Sequence, residues 1–218
     1  HEVNNTVAAT RSVLDSLLFY RSQLLDADAA DFATAIEAVK RRNLSLGEFI
    51  DRFTRVVKMP APELRPVRGK EMVDDILWLN REQCASRGIT LRWRRCDDVP
   101  AVALDAQLME GALLNIVKNA IEAVAARQAA GVAGGQVELS LERDGDGVVL
   151  AVFDSADLLG EVPPRQLFTP FFSTKQGGQG IGLMFVREVL MRHGFAYSLA
   201  STGHGETRFA IQFRARDA

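Results

Sequence analysis

The sequence is poor in cysteine, with only Cys84 and Cys96 among 218 residues. The two cysteines form no Cys-x-x-Cys pair, and no histidine lies close to either of them in the chain. Neither a structural zinc site nor a disulfide framework is therefore predicted. Sparse, unpaired cysteines are typical of a reducing compartment, and we expect a cytosolic setting.

The sequence also lacks an excess of charge of one sign and any long apolar run. A formal net charge of -2 argues against a dedicated nucleic-acid-binding protein, so we expect no nucleic-acid partner. No apolar stretch approaches the roughly 20 residues that cross a bilayer, so we expect no direct membrane contact from this chain. The 47% of hydrophobic residues suffices for two cores, and two domains are predicted.

The first 60 residues carry a heptad pattern, in which apolar positions recur at alternating steps of four and three. We predict one helix to about Leu25, a break at residues 26–31, and a second helix that ends before Pro60. Two helices alone cannot cover such seams, so we expect a homodimer in which two hairpins form a four-helix bundle. The seam positions are Val3, Val7, Thr10, Leu14, Leu17 and Leu24, with Arg21 filling the remaining slot, then Phe32, Ile36, Val39, Asn43, Leu46, Ile50, Phe53 and Val57.

Residues 61–69 are predicted to be an extended linker, and residues 70–218 a second domain. Its periodicities indicate helices over 71–86, 105–127 and 182–193, and strands over 89–93, 137–142, 148–153, 195–201 and 206–213. Asp105 is the expected helix N-cap and Gly194 the expected C-cap. The fold class is α+β: a helical hairpin followed by an α/β sandwich, with helices on one face of a mixed, mostly antiparallel sheet.

Two asparagines and a lysine share one region of the long helix. Asn115 and Asn119 lie four residues apart and so share a face, with Lys118 beside them. Amide oxygens can bind a hard, hydrated cation such as Mg²⁺, and the lysine can neutralise phosphate oxygens. The alternative is that they are ordinary hydrogen-bonding residues of a half-exposed helix.

Two further features suit a nucleotide. Asp154 ends a buried strand, where a carboxylate can accept the exocyclic amine of a purine or simply cap a turn. The glycine-rich stretch from Gly177 to Leu183 precedes a helix, whose N-terminal N–H groups would bind phosphate. Such a stretch can also serve only to turn the chain.

Three motifs together resemble those of the sensor histidine kinases of two-component systems. They are Asn115-Ile116-Val117-Lys118-Asn119-Ala120, Phe168-Thr169-Pro170-Phe171-Phe172-Ser173-Thr174-Lys175 and Gly178-Gln179-Gly180-Ile181-Gly182-Leu183. The resemblance covers essentially the whole chain. It implies a dimerisation and histidine-phosphotransfer domain over residues 1–60 and, over residues 70–218, an ATP-binding domain of the type shared with gyrase and the heat-shock chaperones.

The resemblance also implies roles for individual residues. Asn119 would hold Mg²⁺ against the phosphates of ATP, assisted by Asn115 and Lys118, and Asp154 would contact adenine. Residues from about 158 to 179 would form a lid. The remaining implied nucleotide-binding residues are Phe168, Phe171, Lys175, Gly178, Gly180, Ile181, Gly182 and Leu183.

The N-terminal stretch from His1 to Asn5 resembles the phosphoacceptor motif of the same family. His1 would be phosphorylated from ATP, with Glu2 as general base, and would pass the group to an aspartate of a response-regulator receiver domain. Asn5, one turn later, would orient water in a phosphatase reaction. The alternative is that His1 is a tag remnant. By the same resemblance the chain would be the cytoplasmic part of a larger sensor, attached to a membrane elsewhere.

The family's first glycine box, Asp-x-Gly-x-Gly, is altered. Here Ala156 and Leu158 replace the two glycines. This departure keeps an alternative open, in which a degenerate kinase acts as a dimeric nucleotide-binding scaffold or as a response-regulator phosphatase. An ATPase of the gyrase or mismatch-repair type is disfavoured by the heptad hairpin.

Overall fold

The computed structural model of the chain describes residues 2–18, 20, 26–160, 164–169, 172 and 180–214. The chain divides into two compact units, His1–Met59 and Pro60–Ala218. Within the described residues, no helix is both long enough and apolar enough to cross a membrane.

The first unit is a helical hairpin of α1 (Glu2–Leu18) and α2 (Asp26–Val57). The helices run antiparallel: Asn43 Nδ2 donates to the Val7 carbonyl at 2.8 Å, and Lys40 Nζ lies 2.8 Å from Asp15 Oδ1. The predicted break at residues 26–31 is wrong, because these residues form the first turns of α2. Alanine is the best helix former and aspartate is stabilised at a helix N-terminus, so the stretch favours the start of a helix.

The heptad seam is only partly buried within one chain. Leu14 and Ile36 are buried, whereas Val39 and Leu46 are each 48% exposed. At the end of α2, Val56 rather than the predicted seam residue Val57 is buried.

The second unit contains seven strands and four helices among the described residues. They are β1 (Arg65–Val67), α3 (Gly69–Ser86), β2 (Thr90–Cys96), β3 (Val102–Leu104), α4 (Ala106–Ala129), β4 (Gln136–Asp144), β5 (Gly147–Asp154), α5 (Pro164–Leu167), α6 (Gly182–His193), β6 (Ala196–Ser201) and β7 (Thr207–Arg214).

The main sheet has five strands in the order β2-β4-β5-β7-β6. Only the β2–β4 pair is parallel, so the sheet is mixed and mostly antiparallel, which confirms the predicted fold class. Residues 61–69, predicted as a linker, include β1, which pairs antiparallel with β3.

The core lies between one face of this sheet and helices α3, α4 and α6. Leu139 pairs with Val152, and Leu141 pairs with Leu150, which puts these apolar side chains on the same face. The buried helix residues opposite them are Val73, Ile76, Leu113, Val117, Ile121, Val186 and Leu190. Each such aliphatic side chain contributes about 1.5–3 kcal/mol through burial.

A histidine at the end of α6 contacts the start of α4. Asp105 caps α4 by accepting from the Leu108 N–H at 3.1 Å, and its own N–H donates to His193 Nε2 at 3.0 Å. Gly194 closes α6 in the left-handed conformation, with φ of 72°. Both predicted caps are therefore confirmed, and they fix the start of α4 against the end of α6.

Candidate functional site

Helix α4 presents the predicted polar residues on its less buried side. Its apolar face, which includes Leu113 and Val117, is completely buried. The side chain of Lys118 is 64% exposed, with Nζ 3.9 Å from Glu122 Oε1. A long, accessible lysine on a rigid helix suits the binding of a charged ligand.

Two glycines let α6 approach α4 closely. A Cβ atom added at Gly111 would lie 3.3 Å from Phe185 Cε1, and one added at Gly182 would lie 3.0 Å from Asn115 Oδ1. The Asn115 amide nitrogen donates to the Gly111 carbonyl at 2.8 Å, which leaves the oxygen facing Gly182. The structure thus brings Asn115 and the start of α6 together.

The N-terminus of α6 is not capped by the side chain of its own N-cap residue. Its N-cap residue, Ile181, makes no side-chain cap hydrogen bond, and Gly180 before it has φ of +66°. The N–H groups and the partial positive charge of a helix N-terminus can bind an anion, and phosphate is among the anions that such positions bind.

The residues present fit a divalent cation held jointly with a phosphate ligand. The amide oxygen of Asn115 faces the start of α6, and Asn119 follows it one turn later on α4. Among the described residues, no group of three or more His, Cys, Asp or Glu side chains could hold a metal ion. Neutral amide oxygens suit Mg²⁺, which takes its other ligands from water and phosphates.

Asp154 lies at the buried end of β5. It is 8% exposed, and its Oδ1 accepts from the Ala156 N–H at 3.0 Å. Burial raises its pKa to about 6; the N–H groups of Ala156 and Asp157 and the Thr207 hydroxyl partly offset this effect. A desolvated carboxylate with a perturbed pKa is typical of a functional site.

The altered glycine box forms an ordered turn after Asp154. Ala156 is buried at 3% exposure, Asp157 has φ of +47°, and Leu158 is 56% exposed. Ser155 Oγ accepts from the Gln136 N–H at 2.9 Å. The alanine methyl is therefore accommodated inside the domain, whereas the leucine side chain projects from it.

Arg127, near the end of α4, is a residue of this site that sequence reasoning missed. Its Nη1 atom donates to the carbonyl oxygens of Ser155 and Ala156, the second at 3.1 Å. In the sequence it looks like a basic residue in the last turn of a helix, and no signal connects it to a loop almost 30 residues further on.

Several predicted nucleotide-binding residues are buried. The ring of Phe168 packs with those of Tyr197 and Phe209, at centroid distances of 5.1 and 6.2 Å. Ile181 is 5% exposed, and Leu183 is half-buried. These side chains support the shape of the site from within.

Other predicted residues belong to the hairpin or lie outside the described part. Asn5 is exposed on α1, and Glu2 begins that helix. His1, Phe171, Lys175 and Gly178 lie outside the described residues.

The family model described as "Histidine kinase-, DNA gyrase B-, and HSP90-like ATPase" matches residues 104–217. This range covers α4, Asp154 and α6, the elements that form the candidate site.

Curated relatives extend the similarity to the hairpin. The chain is 27% identical over 220 residues to the C4-dicarboxylate transport sensor protein DctB of Rhizobium meliloti (strain 1021), a match that covers 98% of this chain and 33% of that protein. It is 29% identical over 163 residues to the sensor histidine kinase ZraS of Escherichia coli (strain K12), covering 74% of this chain and 34% of that protein. The chain thus spans about a third of the length of these relatives.

Solved structures share the fold. The catalytic domain of histidine kinase ThkA matches with a TM-score of 0.61 at 23% identity, over 70% of this chain and 95% of that one. Full-length ShkA in complex with AMPPNP matches with a TM-score of 0.68 at 22% identity, over 100% of this chain and 46% of that one. The predicted resemblance to sensor histidine kinases is confirmed.

Proposed function

The chain belongs to the family of histidine kinase-, DNA gyrase B- and HSP90-like ATPases, and from this membership we propose that it is the catalytic core of a protein-histidine kinase. The second unit binds ATP, and the hairpin carries the acceptor, His1. The curated relatives support the combination, because their similarity extends over both units.

One observation carries the proposal for the ATP site: the side-chain oxygen of Asn115 lies against Gly182 at the start of α6. Phosphates bound at this helix N-terminus lie beside the asparagine face of α4. Lys118, on the same helix, neutralises phosphate oxygens, and Asp154 accepts the amine of adenine. Mg²⁺ held by Asn119 supplies further charge neutralisation.

In the proposed reaction an imidazole nitrogen of His1 attacks the γ-phosphorus of ATP. The bond to the β–γ bridging oxygen breaks, ADP leaves, and Glu2 takes the ring proton. The positive end of α6 and the lysine stabilise the charge on the transferring group.

The phosphoryl group then passes to an aspartate of a response-regulator receiver domain. A solved complex of histidine kinase ThkA with response regulator TrrA supports such a partner, since its kinase shares the fold with a TM-score of 0.66 over 97% of this chain. The half-exposed seam of the hairpin supports a homodimer, in which a second copy covers Val39 and Leu46.

The altered glycine box favours a second candidate function. Leu158 replaces a glycine of this box and removes the backbone freedom that glycine gives, so turnover of ATP would be slow. The chain would then act as a dimeric nucleotide-binding scaffold, or as a phosphatase in which the exposed Asn5 orients water.

Incubation with Mg²⁺ and γ-labelled ATP tests the kinase proposal. We expect a protein-bound label that is stable to alkali and labile to acid, absent from His1→Gln and strongly reduced in Asn119→Ala. Label that persists in His1→Gln would refute His1 as acceptor. A folded chain that binds ATP without becoming labelled would favour the scaffold or phosphatase function.

A further inference from the structure

A single guanidinium nitrogen holds two successive peptide groups of the altered glycine box. Arg127 Nη1 donates to the carbonyl of Ser155 and, at 3.1 Å, to that of Ala156. Arg127 is half-buried at the end of α4, the helix that carries Asn115 and Asn119. Hydrogen bonds from a charged donor are stronger than those between neutral groups.

The N–H group of Ala156 hydrogen-bonds the Asp154 carboxylate, and the N–H group of Asp157 interacts with it and lowers its pKa. The peptide that joins Ser155 to Ala156 presents its carbonyl to Arg127 and its N–H to Asp154 Oδ1, at 3.0 Å. The next peptide likewise presents its carbonyl to Arg127 and its N–H, that of Asp157, to Asp154. A peptide group is planar, so fixing its carbonyl also fixes the direction of its N–H.

One residue of this turn has a left-handed backbone. Asp157 has φ of +47°, a conformation that aspartate adopts more readily than most residues but that still costs more for it than for glycine. Ala156, whose methyl is buried, also lacks the freedom of glycine. The two bonds from Arg127 oppose relaxation of this turn.

We propose that Arg127 is a positioning residue that orients the Asp154 carboxylate toward the base of the bound nucleotide and so gives the site its preference for adenine. The inference rests on the proposed function, in which Asp154 accepts the exocyclic amine of adenine. Arg127 acts through the two peptide groups and does not itself contact the nucleotide. Its contribution therefore concerns the base and not the phosphates.

A purely structural role for Arg127 would have a different signature. If the arginine only joined the end of α4 to the end of β5, its loss would lower the stability of the domain and weaken the binding of all nucleotides alike. A positioning role makes the loss depend on the group that Asp154 recognises. Inosine triphosphate separates the two roles, because it has a carbonyl where adenine has the amine.

The experiment measures the dissociation constants of ATP and inosine triphosphate, with Mg²⁺, by calorimetry on the whole chain. In Arg127→Met we expect ATP to bind about tenfold more weakly and inosine triphosphate to change less than twofold, since charge-assisted bonds to the turn are lost. Arg127→Lys keeps a charged donor and should restore most of the preference for ATP.

Lys118→Met is the matched control on the same helix. It removes a cation near the phosphates, so the dissociation constants of both nucleotides should rise by the same factor. The ratio of the two constants should stay that of the unmodified chain. Thermal melts confirm folding; if Arg127→Met shows no cooperative melt, Arg127→Gln is measured in its place by the same criterion.

An unchanged ratio in the folded Arg127 variant would overturn the positioning role and leave the proposed function standing. An unmodified chain that binds neither nucleotide would overturn both proposals.

Discussion

The side-chain oxygen of Asn115 lies so close to Gly182 that a Cβ atom on that glycine would be 3.0 Å away from it. Few real Cβ atoms approach a neighbouring atom so closely, so a side chain at position 182 would have to displace the Asn115 amide. The contact fixes the start of α6 against the asparagine face of α4, where the phosphates of the proposed ligand would lie.

Gly182→Ala should therefore weaken ATP binding and lower the free energy of unfolding. Gly182 does not have a positive φ, so alanine suits the helix and only crowding can make the substitution unfavourable. We expect a loss of about 1–3 kcal/mol, typical of overpacking, measured by chemical denaturation.

Asn115→Ala is the control for this contact, because it removes the crowded oxygen. In the Asn115→Ala background, Gly182→Ala should lower the free energy of unfolding by clearly less than it does in the unmodified chain. The difference between the two losses, the interaction energy, should exceed about 0.5 kcal/mol. Strictly additive effects would contradict the contact.

Stability should depend on pH through Asp154. Its pKa is raised from 3.8 to about 6 by burial, so between these values the folded chain holds a proton that the unfolded chain has released. This carboxyl therefore favours the folded state most below about pH 4, and that contribution is lost as the pH rises to about 6.

Asp154→Asn has no such titration, so its stability relative to the unmodified chain should rise with pH over this window. The relative gain is about 3 kcal/mol at most, from roughly 1.4 kcal/mol for each pKa unit. Denaturation of both proteins at pH 4 and at pH 7 measures it. If the free energies of unfolding of the two proteins differ by the same amount at both pH values, the pKa of Asp154 is not raised.

Much of the fold could be predicted because the signals are local. Asp105 caps α4 with its own side chain, and the turn from Asp144 to Gly147 joins strands whose apolar residues alternate. The strand pair β1 and β3 could not be predicted, because each strand has three residues and its partner is remote in the chain. Such short segments carry too little periodicity to identify a strand.

In the candidate site, too, local features could be predicted from the sequence and long-range contacts could not. The spacing of Asn115 and Asn119 on one helix puts them on one face whatever the rest of the chain does. Arg127 reaches Ser155 only because α4 and β5 end at the same place in the folded domain. The inward packing of Phe168 also depends on Tyr197 and Phe209, which lie beyond α6.

Two serines near β5 should respond oppositely to loss of their hydroxyl groups. Ser140 Oγ is buried and has no hydrogen-bond partner among the described residues, so Ser140→Ala removes an unsatisfied polar atom and should be neutral or stabilising. Ser155 Oγ accepts the Gln136 N–H at 2.9 Å, so Ser155→Ala should cost about 1 kcal/mol.

Thermal and chemical denaturation of the two single variants measure these changes in stability. The two variants can be compared directly because each loses one serine hydroxyl group. A loss in Ser140→Ala as large as that in Ser155→Ala would show that Ser140 Oγ has a partner in solution.

The proposed dimer can be tested with two leucines of α2. They are about equally exposed, but only one of them lies at a heptad seam position. Leu46 lies on the predicted seam and is 48% exposed; Leu44 lies off it and is 43% exposed. A glutamate at position 46 would put a charge into the seam from both chains. Leu46→Glu should weaken dimerisation by at least about 100-fold, because each chain also loses the burial of a leucine.

Light scattering coupled to size exclusion measures the mass, which should fall from twice 23.9 kDa toward 23.9 kDa. Leu44→Glu is the matched control and should stay dimeric, since its added charge points away from the seam. If both variants dissociate, the interface is not the heptad seam; if neither does, the second copy covers another surface. Autophosphorylation of mixed variants is informative only after this result, because the subunit that supplies His1 is defined only in a dimer.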